Sequence, residues 1–511
     1  MKTSREVLFL GALLHDIGKF YQRADMLFSN KYNQLSDFSK NIANDICPMN
    51  EHGKFGYQHV VWTNEFFEIV QKKIKAIPEI DINLFEESSV DNLSNFACNH
   101  HKPNTLLQSI VTLADWWSAG VDRREPIEKE VLTDDEKVIK WGKERYKKIP
   151  LYSVFNTIKE GNAKMAFPLS SYSLRVDCFP REIDSIEKGL SQEEYKKLWN
   201  LFIAEFENLP NDSIDGFTES LIYLLKKYTW CIPSNTMDMT NVSLFDHLKT
   251  TAAFAGCIYR YYDENKSAFN WNNSDKRLTL KEKAFPVMLF GCDISGIQTF
   301  IYNISSKKAA SSLKGRSFYL QLLIDSLIQK LQLHQDIKAS LAHVVYSSGG
   351  KFYMLLPNTE AVKSALNQIN IEVESELWEN FNGKLLANFA YAPFAFNNKA
   401  KTITIDCIDG ADKDLGHLWK ELADRLMVKK NQKMKSILIN DFDLLFNPNN
   451  VGNDGRVCAI TGEDLNDDTI DKIIDRKSSE KDIVLSRMSK NMIKLGEALK
   501  DVDYIVTFKG E

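Results

Sequence analysis

The most constraining feature of this chain is a His-Asp doublet inside an apolar segment near the amino terminus. The segment LLHDIGK runs from Leu13 to Lys19 and follows a mostly apolar stretch for which Ser4 is a favourable N-cap. This pattern predicts a buried helix that continues to Gly18. A buried carboxylate costs free energy unless a partner offsets its charge, and imidazole nitrogen and carboxylate oxygen both bind divalent metals. His15 and Asp16 therefore indicate a metal site.

Further ligands must come from other segments, because neighbouring side chains on a helix diverge by about 100°. His100 and His101 lie in the segment NHHKP. Asp115 lies in the apolar run LLQSIVTLADWW, and His59 lies in YQHVVWTNEFF. Any one of these residues taken alone is more often a hydrogen-bonded core residue than a ligand, whereas the whole set favours a centre of one or two metals. The predicted metal ligands are His15, Asp16, His59, His100, His101 and Asp115.

This combination of ligands is typical of a phosphohydrolase, in which a metal lowers the pKa of a bound water that attacks phosphorus. The predicted catalytic residues are His15, Asp16 and Lys19. Lys19 either stabilises a phosphate or favourably caps the end of its helix. His52 is the weakest metal candidate, because GKFGY beside it is typical of a loop.

The middle of the chain has the pattern of a mixed fold. The apolar run FPVMLFGCDI ends at Asp293, and LKGRSFYLQLLIDSLIQKL has helical spacing. AHVVYSS and KFYMLLP flank Gly349 and Gly350 and predict a β-hairpin. A second amphipathic helix, EAVKSALNQINIEVESEL, precedes KTITIDC, which alternates like a final strand. The predicted order is βαββαβ, a ferredoxin-like palm.

Palms that polymerise or cyclise nucleotides need several carboxylates to hold two metals. Here Asp293 ends the first strand, but the hairpin reads SSGGKF and has no acid beside its glycines. We therefore predict a noncatalytic palm. The backbone N–H groups of Gly349 and Gly350 can approach a phosphate or a purine, and Lys351 offers one positive charge.

Composition narrows the class of protein. At 511 residues the chain is too long for one core. Its eight cysteines have no paired spacing, which argues for a reducing cytoplasm, and we expect no signal peptide and no membrane span. The net charge of −5 restricts nucleic-acid contacts to local basic patches. VKKNQKMKS and WGKERYKK are two such patches, although each is more often an ordinary solvated face.

Taken in order, the HD motif, HHKP and ADWWSAGVDRR resemble the permuted HD domain that opens the large subunit of type III CRISPR effector complexes, especially the III-A (Csm) form. Four downstream segments are similar to that family's first palm region, and they are SLFDHLKTTAAFAGCIY, GCDISGIQTFIYNI, LKGRSFYLQLL and VVYSSGGKFYMLLP. The resemblance covers most of the chain and is least distinctive from about residue 130 to 235.

The resemblance implies an α+β multidomain protein with four parts. Residues 1–130 are expected to form an all-α HD nuclease domain, and residues 131–280 a mostly helical connecting region. Residues 281–408 are expected to form the noncatalytic ferredoxin-like palm. Residues 409–511 are expected to form a mostly helical module.

The resemblance also implies a function. The HD domain is expected to cleave single-stranded DNA with manganese, nickel or magnesium, once a guide RNA has paired with a target RNA. The expected partners are guide RNA, target RNA, single-stranded DNA, and the small and backbone CRISPR subunits, with no membrane. A nucleotide such as ATP can lie against the first palm in that family. Gly349, Gly350 and Lys351 are therefore predicted nucleotide contacts, with a simple tight turn as the alternative.

The chain departs from the family pattern in two places. It has no GGDD hairpin of the second palm, which makes cyclic oligoadenylate, so we do not expect cyclase activity. The chain is then a fragment, half of a split subunit, or a lineage without the cyclase. The family often has CxxCG followed by CxxC, whereas here Cys458 and Gly462 flank Thr461 and no later cysteine follows. One thiolate cannot hold zinc, so no structural zinc is expected.

Two alternative functions remain open. In the first, the HD site is slow or empty, and the chain is a noncatalytic scaffold that anchors guide RNA and partner subunits. In the second, the chain is an HD phosphohydrolase of small nucleotides unrelated to CRISPR. The second alternative explains the first 130 residues but leaves DHLKTTAAFAG, DISGIQTFIY and SSGGKF without a role.

Overall fold

The protein combines a helical amino-terminal half with a six-stranded antiparallel sheet. The computed structural model describes residues 4–78, 80, 90–122, 142–157, 164–236, 240–305, 308–397, 404–408, 410–446, 456–465, 470–474, 482–504 and 506. The helices are α1 (Ser4–Leu14), α2 (Ile17–Ala24), α3 (Asp37–Asn41), α4 (Ala43–Ile46), α5 (His59–Ile74), α6 (Leu93–Cys98), α7 (Leu106–Asp122), α8 (Ile183–Glu187), α9 (Gln192–Phe206), α10 (Ile214–Thr229), α11 (Leu244–Glu264), α12 (Ile297–Tyr302), α13 (Ala309–Leu333), α14 (Glu360–Phe381), α15 (Leu415–Asn431), α16 (Lys435–Asn440), α17 (Phe442–Phe446) and α18 (Arg487–Ala498).

The strands form four sheets within the described residues. They are β1 (Leu151–Tyr152), β2 (Met165–Phe167), β3 (Arg181–Glu182), β4 (Phe269–Asn272), β5 (Arg277–Leu280), β6 (Val287–Ser295), β7 (Val344–Ser348), β8 (Lys351–Pro357), β9 (Leu386–Asn397), β10 (Thr404–Cys407), β11 (Gly410–Lys413), β12 (Ile470–Ile474) and β13 (Asp482–Ser486). The region 131–280, predicted to be mostly helical, contains α8 to α11 but also two small sheets, β1-β2-β3 and β4-β5.

Helix α11 ties the amino-terminal helices together. It packs against α1 and α7, while α2 packs against α5 and α9. Ser243 caps α11 by accepting a hydrogen bond from the backbone N–H of Asp246 at 3.0 Å, which satisfies a donor at the helix start. Because the apolar residues of α11 are buried through Ile258, this helix is a central element of the core rather than a surface connection.

The large sheet has the order β11-β10-β9-β6-β8-β7. Its strands β6, β7, β8 and β9, with helices α13 and α14 between them, follow the predicted βαββαβ order. The assignment of KTITIDC as the last strand of this unit is wrong. The last strand of the unit is β9, which pairs with β6 on the side opposite β8, and Thr404–Cys407 forms the next strand outward. The sheet then continues through Lys413, past the predicted boundary at residue 408.

The sheet is buried on both faces, and successive residues of β6 serve different cores. Leu289 packs in the cluster that contains the amino-terminal helices and α15. Phe290 packs in the cluster formed with α13 and α14. A strand covered on both faces is apolar at every position, which explains the unbroken run in FPVMLFGCDI.

Among the described residues after 408, strands accompany the helices. Residues 410–413 extend the large sheet, and β12 and β13 form a separate antiparallel hairpin. Helix α18 follows β13 and packs along α13. Gly315 and Gly496 lie at this crossing, where a Cβ on Gly315 would approach the carbonyl oxygen of Met492 to 1.8 Å.

We predict that Gly315→Ala loosens the packing of α18 on α13. Overpacking of this kind costs about 1–3 kcal/mol, so the amides of α18 should exchange with solvent faster in a hydrogen-exchange experiment. Gly189→Ala is the control, because its Cβ would meet only the Ile186 carbonyl at 3.5 Å. Unchanged exchange of α18 in Gly315→Ala would contradict this packing.

Candidate metal centre

The His-Asp doublet lies in a turn and not within a helix, contrary to the prediction. Helix α1 ends at Leu14 and α2 begins at Ile17. Asp16 has φ −106° and ψ 12°, a sparsely populated conformation in which active-site residues are often found. The turn brings both side chains to one place, since His15 Nε2 is 3.3 Å from Asp16 Oδ2. Both residues are almost completely buried.

Asp16 belongs to two sets of possible ligands. In each set the candidate atoms all lie within 4.8 Å of one another. The first set comes from the α1–α2 turn, the start of α5 and the residues after α6. The second comes from the same turn, α7 and α11. The first set is Asp16, His59, His100 and His101, and the second is His15, Asp16, Asp115 and His247.

His247 is a member that the sequence analysis missed. Its Nε2 lies 3.1 Å from both Asp16 Oδ2 and Asp115 Oδ1, and its Nδ1 is 2.9 Å from the Ser118 hydroxyl. It stands on α11, outside the predicted domain of residues 1–130. The segment DHLKTTAAFAG contained the signal, a histidine in an apolar helix.

The histidine rings are oriented in a way that suits metal binding. His15 Nδ1 is 2.8 Å from the Ala12 carbonyl and His100 Nδ1 is 2.6 Å from the Ala97 carbonyl. When Nδ1–H donates to a carbonyl, Nε2 remains as a lone-pair donor, as in the second shell of many metal sites.

Several atoms at the centre of the cluster have no hydrogen-bond partner. They are Asp16 Oδ1, His59 Nε2 and His100 Nε2, and all three are buried. His59 Nε2 is only 2.8 Å from Asp16 Oδ1, but the pair lacks hydrogen-bonding geometry. Unsatisfied buried polar atoms are rare and costly. A divalent cation is a partner that fits nitrogen and oxygen atoms directed at one point.

The charges of the cluster also suit a cation. Burial opposes ionisation of Asp16 and Asp115, but the neighbouring cationic and imidazole groups outweigh it and hold both carboxyl pKa values well below the usual range. Burial and the nearby His15 lower the pKa of His100 to about 3. For His15, the adjacent carboxylates outweigh burial and raise its pKa to about 9. Metal binding at this cluster should therefore displace a proton from His15.

Lys19 and Gly18 flank the cluster on α2. Lys19 Nζ lies 2.5 Å from Asp16 Oδ2 and donates to the Ser234 carbonyl at 3.1 Å. A Cβ on Gly18 would lie 2.1 Å from the His59 carbonyl oxygen, so only glycine lets α2 approach α5 this closely. A cavity of about 530 Å³ opens beside the cluster, and Lys19, His59, His101, Asp115 and His247 are among its lining residues.

The glycine hairpin lies in the sheet, away from these ligand sets. Gly349 and Gly350 have φ values of 62° and 78°, which is typical of a two-residue type I′ hairpin turn. The ammonium of Lys351 is 3.1 Å from Asp293 Oδ2, and that of Lys430 is 2.8 Å from the same oxygen. Two lysines thus neutralise the one acid at the end of β6.

Cys458 lies at the predicted remnant of a zinc site. Its Sγ is 3.4 Å from Ser489 Oγ and 3.7 Å from Ser486 Oγ. Burial opposes ionisation of the thiol, but hydrogen bonds from Ser489 and Thr461 outweigh it and lower its pKa to about 7. Hydroxyl groups are therefore its polar neighbours. All eight cysteines of the chain are buried and free.

Comparisons with known proteins agree with this architecture. Residues 286–448 match the family model described as Csm1 subunit domain B. A protein from Methanocaldococcus jannaschii is 32% identical over 486 residues, covering 89% of this chain and 53% of the relative. A relative from Mycobacterium tuberculosis is 30% identical over 437 residues, covering 82% of this chain and 49% of the relative. Both are named CRISPR system single-strand-specific deoxyribonuclease Cas10/Csm1 of subtype III-A.

A solved structure shares the fold. The crystal structure of a Csm1-Csm4 cassette in complex with cA4 matches with a TM-score of 0.52 and 18% identity, over 95% of this chain and 55% of that chain. Over most of its length the chain is therefore similar to proteins named Cas10/Csm1 of subtype III-A, which confirms the resemblance inferred from its motifs.

The similarity is confined to part of each relative, because the chain spans about half the length of the curated relatives it matches. Within the described part of the chain, none of the helices combines the length and apolarity needed to cross a bilayer.

We predict that His247→Ala weakens metal binding although residue 247 is distant in sequence from the other ligands. Loss of supporting groups around a metal lowers affinity by roughly 10–100-fold, and loss of a ligand should lower it at least as much. Isothermal titration with manganese measures the change. His52→Ala is the matched control, because His52 is exposed and lies outside both ligand sets. Equal affinities of the two variants would exclude His247 from the site.

Proposed function

We propose that this chain is the part of a Csm1 large subunit that cleaves single-stranded DNA by metal-dependent hydrolysis. The observation that carries the proposal is the convergence of two ligand sets on the buried Asp16, with unpaired ring and carboxylate atoms facing each other. The names of the curated relatives support a single-strand-specific deoxyribonuclease. Residues 1–130 together with α11 then form the HD domain.

The donor set favours a transition metal. Five imidazoles and two carboxylates offer the mixed nitrogen and oxygen ligands that suit manganese or nickel better than magnesium, which prefers oxygen. Because Asp16 is common to both sets, its carboxylate would be a ligand for a metal held by either set. When bound, the metal lowers the pKa of a water and neutralises charge on the phosphodiester.

The chain's own residues hold the substrate and the protons in this proposal. His15, Asp115 and His247 fix one ligand set, and His59, His100 and His101 complete the other around Asp16. Lys19 pairs with Asp16 and also lines the cavity. When the substrate enters, the Lys19 ammonium can exchange its ion pair with Asp16 for one with a phosphate oxygen. Burial of the ligands keeps bulk water away from the carboxylates and strengthens their electrostatic interactions.

We propose a noncatalytic first palm for residues 281–413. Its acid at the strand end, Asp293, is neutralised by Lys351 and Lys430, so it cannot hold two metals as an active palm does. A Cβ on Gly349 would meet no atom within 4 Å, so there is open space beside the turn for a nucleotide such as ATP. Because Lys351 is engaged with Asp293, the glycine backbone is the better candidate for that contact.

The partners proposed for this chain are guide RNA, target RNA and the other subunits of a type III-A complex. The solved cassettes contain Csm1 with Csm4, which supports a subunit contact of that kind. Sequence selection then comes from base pairing between the two RNAs, and the metal centre acts on whichever single strand reaches it.

The proposal predicts that Asp16→Asn greatly slows cleavage. This substitution preserves shape but removes the charge common to both ligand sets, so the rate should fall by roughly 10²–10³-fold or more. The assay uses labelled single-stranded DNA, manganese, and protein purified with its partners, with chelator as a second way of removing activity. His52→Ala should retain the wild-type rate.

If wild-type protein cuts under no metal while the complex still assembles on guide RNA, the nuclease proposal is wrong. The chain would then be the noncatalytic scaffold.

A further inference from the structure

Arg23 is a buried cation beside the metal centre that the ligand sets do not use. It lies in the last turn of α2, is 3% exposed, and lines the same cavity as Lys19 and His59. Its Nη1 donates to the Lys19 carbonyl at 2.8 Å and its Nη2 donates to the Pro233 carbonyl at 3.0 Å. Its Nε is buried and has no hydrogen-bond partner.

In the described part of the chain, no carboxylate forms an ion pair with Arg23. Asp16, the acid that influences it, is already occupied by Lys19 and the histidines. Asp25 is buried nearby in sequence, but it accepts hydrogen bonds from the Gln34 backbone and the Trp62 indole. A buried guanidinium without a counterion is costly. Arginine is also the side chain most suited to binding phosphate at buried sites.

Tyr146 provides a second unpaired group in the same cavity. Its hydroxyl is buried and without a partner, and it also lines the cavity. Tyr146 and Arg23 are close enough to influence each other electrostatically. Arg23 and Tyr146 thus line one cavity and each has a donor without a partner, and a guanidinium N–H and a hydroxyl are both donors that suit phosphate oxygens.

We propose that Arg23 and Tyr146 form a phosphate-binding subsite for the backbone of a single-stranded oligonucleotide, at a linkage next to the one held at the metal centre. The inference rests on the proposed function for its substrate class, and it assigns to these two residues the positioning of the strand. The Arg23 guanidinium supplies the charge, and the Tyr146 hydroxyl supplies a neutral hydrogen bond. Lys19 remains available for the linkage that is cut.

Binding of a fluorescein-labelled oligothymidylate tests this subsite. Anisotropy is measured in chelator, where cleavage does not interfere, and over a series of salt concentrations. Arg23→Gln should weaken binding about ten- to a hundredfold, because a hydrogen bond to a charged group is lost. It should also flatten the dependence of log K on log salt by about 0.7, the value for one phosphate contact on a single strand. Tyr146→Phe should weaken binding about two- to tenfold with no change of slope.

Two matched controls remove the same groups elsewhere. Arg260→Gln deletes a partly exposed guanidinium paired with Glu264, and Tyr172→Phe deletes the hydroxyl of an exposed tyrosine. Both should bind like wild type. If Arg23→Gln is not folded by circular dichroism, Tyr146→Phe decides alone, because it removes only an oxygen without a partner. The proposal is overturned if the folded variants keep the wild-type affinity and salt dependence. It is also overturned if the two controls lose as much affinity as the variants do.

Manganese titration of the same variants separates this inference from the proposed nuclease. Arg23→Gln and Tyr146→Phe should bind manganese like wild type, because neither belongs to a ligand set. A wild-type protein that binds the oligothymidylate but never cleaves DNA would remove the nuclease and leave the subsite. If wild type cleaves DNA and both variants bind the oligothymidylate as wild type does, the nuclease proposal stands and the subsite is excluded.

Discussion

The buried carboxylate of Asp16 is the group on which the rest of the amino-terminal half depends. It is 1% exposed and lies between two sets of histidines. The close approach of α2 to α5 at Gly18 brings His59 to it, and the packing of α11 against α1 and α7 brings Asp115 and His247. Without a cation at this point, a cluster of polar groups would be buried with several atoms unsatisfied. The packing of these helices therefore places the histidines and Asp115 around the buried carboxylate of Asp16.

The same packing connects the candidate metal centre with the sheet. His247 stands near the start of α11, and Phe254, two turns later, contacts Trp117 of α7 and Phe396 of β9. One continuous hydrophobic core accordingly includes the amino-terminal helices and one face of the sheet. Helix α11 therefore joins the candidate ligand His247 to strand β9 through direct packing.

Much of the site could be predicted because its residues break apolar patterns. Asp16 and Asp115 are acidic residues within apolar segments, and an acid in such a segment is recognisable from the sequence alone. His247 has the same signature, but helical periodicity does not say which helices meet in space, so its place in the site needed the fold. The strand β9 was missed for the opposite reason, since LANFAYAPFAFN is buried on both faces and shows no alternation. KTITIDC alternates clearly between apolar and polar residues, so it was predicted as the last strand of the unit in place of β9.

Anomalous scattering at the manganese edge, from crystals grown with manganese, tests the central claim most directly. The account predicts one or two peaks within bonding distance of the Asp16 carboxylate, with His247 among the ligands of the ion bound by His15 and Asp115. Absence of a peak at Asp16, or manganese bound only elsewhere, would contradict it.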